Sequence, residues 1–311
     1  MYKETDFGDT LEGDLVRRDF TVNAMALRLH GDGTQEFCDP LGGISDLAAG
    51  VLDTPQAPEV SFHDDPLRMI RACRFVSKLG FTLAPRVTAA IQHMSAEITR
   101  ITAERIQAEL DKLMLGAYPW EGIDLLCQTG LANHIFPEIP AMSMPPDPSL
   151  PHKDVYTHSL TVLKQACELE PGDPDLVLRW AALLHDVGKV PTRAAKPGGG
   201  VTFHQHEIVG ARMVRKRFKA LKYSRQMIND VSQLVYLHLR IHGYGDGEWT
   251  DSAVRRYVTD AGPLLDRLNL LVRADCTTAR DWKRKKLHAL VDSLEERIAE
   301  LRLSLIHISE P

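Results

Sequence analysis

The chain has 311 residues, 44% hydrophobic and 25% charged, with a formal net charge of −5, which argues against a disordered or fibrous protein and against a globally basic nucleic-acid binder, and leaves room for two or three compact units. Cys38, Cys73, Cys127, Cys167 and Cys276 are scattered without a CxxC pair, so neither a disulfide framework nor a cysteine zinc site is indicated and a reducing cytoplasm is expected. No apolar run reaches the roughly 18 to 20 residues that span a bilayer, and MYKETDFGDTLEGDL is no export leader, so no membrane partner is expected.

After Arg17 a polar turn leads into AMALRLHGDGTQEFCDP, where two β-compatible runs flank Gly31-Asp32-Gly33 and predict a hairpin. From about Pro66 the pattern turns helical. LRMIRACRFVSKLGF, VTAAIQHMSAEI and TAERIQAELDKLMLG each place apolar residues near i, i+3 and i+4. The prolines of PEIPAMSMPPDPSLP forbid helix continuation and predict a domain boundary before a second helical block from about His152. The fold class is therefore mainly α with a small α/β part at the start. At the other end LSLIHISEP abandons the charged helical pattern of LVDSLEERIAELR, and the hairpin has no preceding strand to pair with. Both ends lead us to expect a fragment with a non-native tail over 303–311.

Arg17-Arg18-Asp19-Phe20-Thr21-Val22-Asn23-Ala24 gathers guanidiniums, a carboxylate and an amide suited to a triphosphate and a ribose hydroxyl; the plainer reading is a charged helix start facing solvent. Asp39-Pro40-Leu41-Gly42-Gly43-Ile44-Ser45-Asp46 follows, a glycine turn opening a helix. Next comes Asp64-Asp65-Pro66-Leu67-Arg68-Met69-Ile70-Arg71. There Asp65 and Arg68, at i, i+3, are expected on one helix face, where carboxylate and guanidinium together can read a base edge; a surface ion pair is the alternative.

Taken in order, RRDFTVNA, DPLGGISDL, DDPLRMIRACRF and TAERIQAEL resemble the successive motifs of bacterial class II CCA-adding tRNA nucleotidyltransferases, over roughly residues 11 to 115. The resemblance implies that Arg18, Asp19 and Asn23 lie at the ribose and triphosphate. Asp65 and Arg68 would read the incoming base, Arg71 would also bind the nucleotide, and so would Asp64, which stands where the family more often has glutamate. Asp39, Gly43 and Asp46 would orient the primer. Arg105 and Glu109, at i, i+4, would buttress the pocket or simply form a helix salt bridge. The family's Gly-Ser turn followed by a strand bearing Asp-x-Asp, which holds catalytic Mg²⁺, is not found in this chain. We therefore expect this polypeptide by itself not to add nucleotides.

In the second block, His158 in DVYTHSL, His185-Asp186 in LLHDVGK, His204 and His206 in VTFHQHE, His238 in LVYLHLR and Asp275 in LVRADCTT form a set. Each alone reads as a hydrogen-bonded core residue. Together, imidazoles and carboxylates suit a divalent metal able to activate water. The order resembles the HD phosphohydrolase superfamily, which implies that His158, His185, Asp186 and Asp275, all on helices, ligate one ion, with His206 and His238 available for a second. His204 ranks lower. Lys189 could neutralise a phosphate or be a solvated helix-end lysine. RMVRKRFKALKYSR and RDWKRKKLHAL could contact tRNA phosphates or be solvated faces, and Trp249 and Tyr257 read as core residues.

These resemblances imply a truncated nucleotidyltransferase head over 1–60, a helical neck and body that bind nucleotide and tRNA over 61–140, an all-α HD domain over 152–280, and a C-terminal helix over 281–302. The expected function is template-independent addition of C, C and A to the tRNA 3′ end from CTP and ATP. The HD domain would act as a phosphohydrolase or 2′,3′-cyclic phosphodiesterase with Ni²⁺, Mn²⁺ or Mg²⁺. The rivals are a stand-alone HD phosphohydrolase, a poly(A) polymerase relative and a non-catalytic RNA-binding remnant. The sequence sets no oligomeric state.

Overall fold

The computed structural model describes residues 10–144, 154–196, 199–244, 249–278 and 280–308. The chain divides into two compact units between Pro137 and Glu138.

In the first unit, α1 (Leu11–Val16) starts at Thr10, whose hydroxyl accepts from Gly13 N–H. A 3-10 turn (Thr21–Asn23) precedes the hairpin of β1 (Ala26–Leu29) and β2 (Gln35–Cys38), antiparallel with Leu27 opposite Phe37. Asp32 shapes its turn by accepting from the Thr34 amide and hydroxyl at 2.9 and 2.7 Å. Then come α2 (Gly43–Ala49), β3 (Val51–Leu52), α3 (Pro58–Asp64), α4 (Leu67–Leu79) and β4 (Thr82–Leu83), which pairs with β3 in parallel. The unit closes with α5 (Pro85–Met94), a 3-10 segment (Ser95–Arg100), α6 (Ala103–Met114), α7 (Pro119–Gln128) and α8 (Leu131–Ile135). Prolines open α3, α5 and α7, where a missing N–H costs nothing. α4 lies at the centre: Met69, Ile70, Cys73 and Val76 are buried at helical spacing, and the helix packs on α6 and α7, whose Leu110, Leu113 and Ile123 are buried as well.

The second unit opens with a 3-10 turn (Pro140–Met142), α9 (Val155–Leu169) and α10 (Leu176–Leu184), the helices capped by the side chains of Asp154 and Asp175. After α11 (Lys189–Thr192) a short antiparallel hairpin, β5 (Arg193–Ala195) and β6 (Val201–Phe203), interrupts the helical pattern expected from sequence. α12 (His206–Ala220), α13 (Arg225–Leu237), α14 (Asp251–Ala261) and α15 (Leu265–Ala274) complete the bundle, followed by α16 (Asp281–Ile308). Trp180 is fully buried, edge-on to Phe218, which stacks on Tyr223 with centroids 4.3 Å apart. Tyr257 is buried, donating to Asn269 Oδ1, and Trp249 packs against it edge-on. α16 runs from Asp281 to Ile308 and so takes in the first part of the 303–311 segment read from sequence as a non-native tail. Residues 309–311 lie outside the described chain.

Candidate metal centre and nucleotide-recognition motifs

In the first unit the four motifs are brought together, though not in the poses the spacing suggested. Arg17 is the C-cap of α1, not the start of a helix, because Thr10 already caps that helix upstream. Arg18 turns back to Asp14 at 2.8 Å on the surface. Asp19 is buried and held from two sides, by Asn23 Nδ2 at 2.7 Å and Arg71 Nε at 2.5 Å. Asp39 accepts from the amides of Gly43 and Ile44 and so fixes the start of α2. Asp46 accepts from the Thr21 hydroxyl at 2.5 Å. Gly43 permits this packing: a Cβ there would stand 2.2 Å from the Thr21 carbonyl oxygen.

Asp65 and Arg68 do not share a helix face. Asp65 has extended backbone before α4, since Pro66 begins the new helix, and its carboxylate caps Leu67 N–H and pairs with Arg105 at 2.9 Å. Arg68 points the other way, donating to Ser61 Oγ and to the Arg17 carbonyl. Asp64 instead lines a cleft of about 560 Å³ with Glu59, His63, His93 and Glu97. Arg105 and Glu109 form no helix salt bridge either. Arg105 reaches Asp65, while buried Glu109 takes Lys112 at 3.0 Å and Arg74 at 3.2 Å. The Arg74 contact lacks hydrogen-bond geometry. α6 thus meets α4 through Glu109 and the extended Asp65 before it through Arg105, by partners that sequence spacing did not indicate.

In the second unit six expected residues converge. His158 Nε2 lies 3.2 Å from His185 Nε2 and 3.0 Å from Asp275 Oδ1, and these three donor atoms can serve one ion. Asp186, His206 and His238 form a second such group. Asp186 joins the two. Its Oδ2 faces His185 at 3.3 Å and His158 at 3.6 Å, while its Oδ1 faces His206 at 3.4 Å and His238 at 3.8 Å. His158 sits within α9 and His206 is the first residue of α12; His185 and Asp275 are helix C-caps, Asp186 follows His185, and His238 is a C-cap as well. Ends of helices can aim side chains at one point from several directions. His204 is exposed and outside the cluster.

Each ring is oriented from behind. His185 Nδ1 contacts the Ala182 carbonyl at 2.8 Å, His206 Nδ1 that of Phe203 at 2.9 Å, and His238 Nδ1 that of Val235 at 2.6 Å. His158 Nδ1 meets Thr277 Oγ1 at 3.0 Å, a residue the sequence reading did not single out although it lies two places after Asp275. The three carbonyls can only accept, so those contacts put protons on Nδ1 and leave Nε2 for the centre. His206 Nε2 and His238 Nε2 are buried there without any hydrogen-bond partner, an expensive arrangement for polar atoms unless a ligand completes it. The donor set of nitrogens and carboxylate oxygens fits a borderline divalent ion.

The electrostatics are those of a tightly coupled charge cluster. Burial opposes charge on His185, yet the Asp186 and Asp275 carboxylates overcome it and hold its pKa up at about 10. His238 goes the other way: burial, then the charge on His185, push it down to about 3. Burial works against ionisation of Asp186 and Asp275 too, but the histidines around them keep both well below the usual carboxylate range. Lys189 adds a cation, 2.6 Å from Asp186 Oδ2.

Residues 1–53 match the family described as Poly A polymerase head domain, residues 80–142 that described as Probable RNA and SrmB- binding site of polymerase A, and residues 155–280 the HD domain. The chain is 38% identical to the A-adding tRNA nucleotidyltransferase of Deinococcus radiodurans, over 87% of this chain and 61% of that protein. It is 33% identical to a multifunctional CCA protein of Neisseria gonorrhoeae, over 76% of this chain and 55% of that protein. The crystal structure of the Bacillus stearothermophilus CCA-adding enzyme in complex with CTP is similar over 95% of this chain and 61% of that one, with 26% identity and a TM-score of 0.57. The chain thus spans a little over half the length of these relatives.

Proposed function

Since the chain belongs to the tRNA nucleotidyltransferase family in which a poly(A)-polymerase-type head is joined to an HD domain, we propose that it serves tRNA 3′-end synthesis and repair. In this reading the first unit recognises CTP and ATP for addition of C, C and A, and the HD domain hydrolyses phosphate esters, 2′,3′-cyclic phosphates among them, at RNA 3′ ends. The observation that carries the hydrolytic half is the pair of buried, unpartnered Nε2 atoms of His206 and His238 facing Asp186.

Ions bound by the two groups of ligands, Ni²⁺, Mn²⁺ or Mg²⁺, would supply Lewis acidity toward a phosphoryl oxygen and toward attacking water. The chain's own residues do the rest. The carbonyls of Ala182, Phe203 and Val235 and the Thr277 hydroxyl hold four imidazoles in register. Asp186 spans both groups, and Lys189 is placed to neutralise phosphate charge beside it.

For nucleotide recognition, Arg18, Asp19, Asn23 and Arg71 form the triphosphate and ribose side, and Asp65 and Arg68 the base side; the Mg²⁺ that serves nucleotidyl transfer would need the Asp-x-Asp strand not found in this chain. Asp39, Gly43 and Asp46 orient the primer, and Arg105 and Glu109 support the pocket. The close pairing of Asp19, Asp39 and Asp46 with protein donors favours a second reading, in which this unit is a scaffold for the hydrolase. No described helix is long and apolar enough to cross a membrane, and a cytoplasmic setting accords with the tRNA substrate. The test is hydrolysis of 2′,3′-cyclic AMP with each metal, alongside CTP binding by equilibrium dialysis. Hydrolysis with CTP binding supports the full reading, and hydrolysis alone the second. No hydrolysis with any metal removes the hydrolytic role.

A further inference from the structure

α12 begins at His206, a member of the proposed metal centre, and carries a face for which ester hydrolysis alone has no use. From Gly210 to Arg225 the sequence holds seven basic residues and no acidic one, in a chain whose net charge is −5. Arg217 is engaged by Glu138 at 2.8 Å. The other six, Arg212, Arg215, Lys216, Lys219, Lys222 and Arg225, are exposed, and none forms an ion pair among the described residues.

The helix sets their direction. Gly210, Ala211, Val214 and Phe218 are the buried side of α12, so Arg212, Arg215, Lys216 and Lys219 form a stripe on the outer side, one cation or pair per turn of about 5.4 Å. Like charges at this spacing destabilise a helix, and a face that serves only solubility mixes both signs. A row of unpaired cations is instead the electrostatic footprint of a phosphate backbone. Adsorption to a membrane surface would also need large apolar side chains beside the cations, and none on α12 is exposed.

The stripe's position relative to the centre is fixed by close packing. A Cβ on Gly188, two residues after Asp186, would stand 2.0 Å from the His206 carbonyl oxygen and 2.6 Å from the Gly210 nitrogen. The backbone after the His-Asp pair therefore lies directly against the start of α12. Arg212 follows His206 by six residues, about 9 Å of helix rise.

We infer that the outer face of α12 is a track for RNA phosphates that seats a strand with its 3′ end at the cluster around Asp186. The inference rests on the hydrolytic reading above and adds the surface that would hold the body of the strand, so that a polynucleotide end is favoured over a free nucleotide.

The test uses the full chain and the variant Arg215→Gln/Lys216→Gln/Lys219→Gln. The probe is a 5′-fluorescein acceptor-stem minihelix ending in a 2′,3′-cyclic phosphate, compared with 2′,3′-cyclic AMP. In the variant the ratio of kcat/KM for the minihelix to that for the mononucleotide is expected to fall by about 30-fold. In anisotropy titrations the slope of log Kd against log salt should lessen by roughly 2 to 3, as loss of three phosphate contacts requires. An unchanged ratio together with an unchanged slope would overturn the track. If wild type hydrolyses neither substrate, the hydrolytic reading fails and the titration alone decides. A lessened slope keeps the track, and wild-type binding by the variant removes it.

Discussion

His206 Nε2 lies 3.4 Å from Asp186 Oδ1, buried, without the geometry of a hydrogen bond to it or to any other group. Two polar groups so placed, shielded from water and not hydrogen-bonded to each other, can both offer lone pairs to the same point. Replacing His206 with alanine should therefore cost little stability while lowering Mn²⁺ binding from two ions to one, as read by isothermal titration calorimetry. Asp186→Ala touches both groups and should weaken binding of both ions by more than about 100-fold. Equal stoichiometry in wild type and His206→Ala would contradict this.

Thr277 acts on the centre only through His158. Thr277→Val keeps the shape and removes the oxygen, so Mn²⁺ affinity should fall about 10-fold with an unchanged melting temperature, and Thr277→Ser should restore it. A valine variant that binds as wild type would assign Thr277 no positioning role.

Arg71 neutralises Asp19, a carboxylate left 6% exposed. Arg71→Ala leaves that charge with Asn23 as its remaining partner and should destabilise the chain by about 2 kcal/mol in urea denaturation. Arg18→Ala, which removes only an exposed surface pair, should change stability by less than about 0.5 kcal/mol. Similar losses in both would show that Asp19 does not depend on Arg71.

Gly43→Ala forces a methyl group to within 2.2 Å of the Thr21 carbonyl oxygen. The expected loss is about 2 kcal/mol or more, read by the same denaturation, with weaker CTP binding as Thr21 and Asn23 shift. Full stability with full CTP binding would place Gly43 in no such contact.

The sequence made the helical architecture and the convergence of His158, His185, Asp186, His206, His238 and Asp275 legible because both depend on residue type and order: amphipathic spacing for α4 and α6, and a rare combination of histidine and aspartate for the cluster. It misdirected where a side chain had a choice of partners. Asp65 and Arg68 are three apart, but Pro66 starts a new helix between them, and each side chain turns to a different neighbour, Arg105 or Ser61. Arg105 and Glu109 likewise favour tertiary partners over each other. The shared position of Asp186 between two ligand groups was also not readable, since it depends on which carboxylate oxygen faces which helix end.

The most direct measurement is anomalous scattering from crystals of the chain grown with Mn²⁺. Two peaks are predicted, one against His158, His185 and Asp275 and one against His206 and His238, with Asp186 in contact with both. A single peak, or none among these six residues, would contradict the two-ion centre on which the hydrolytic reading stands.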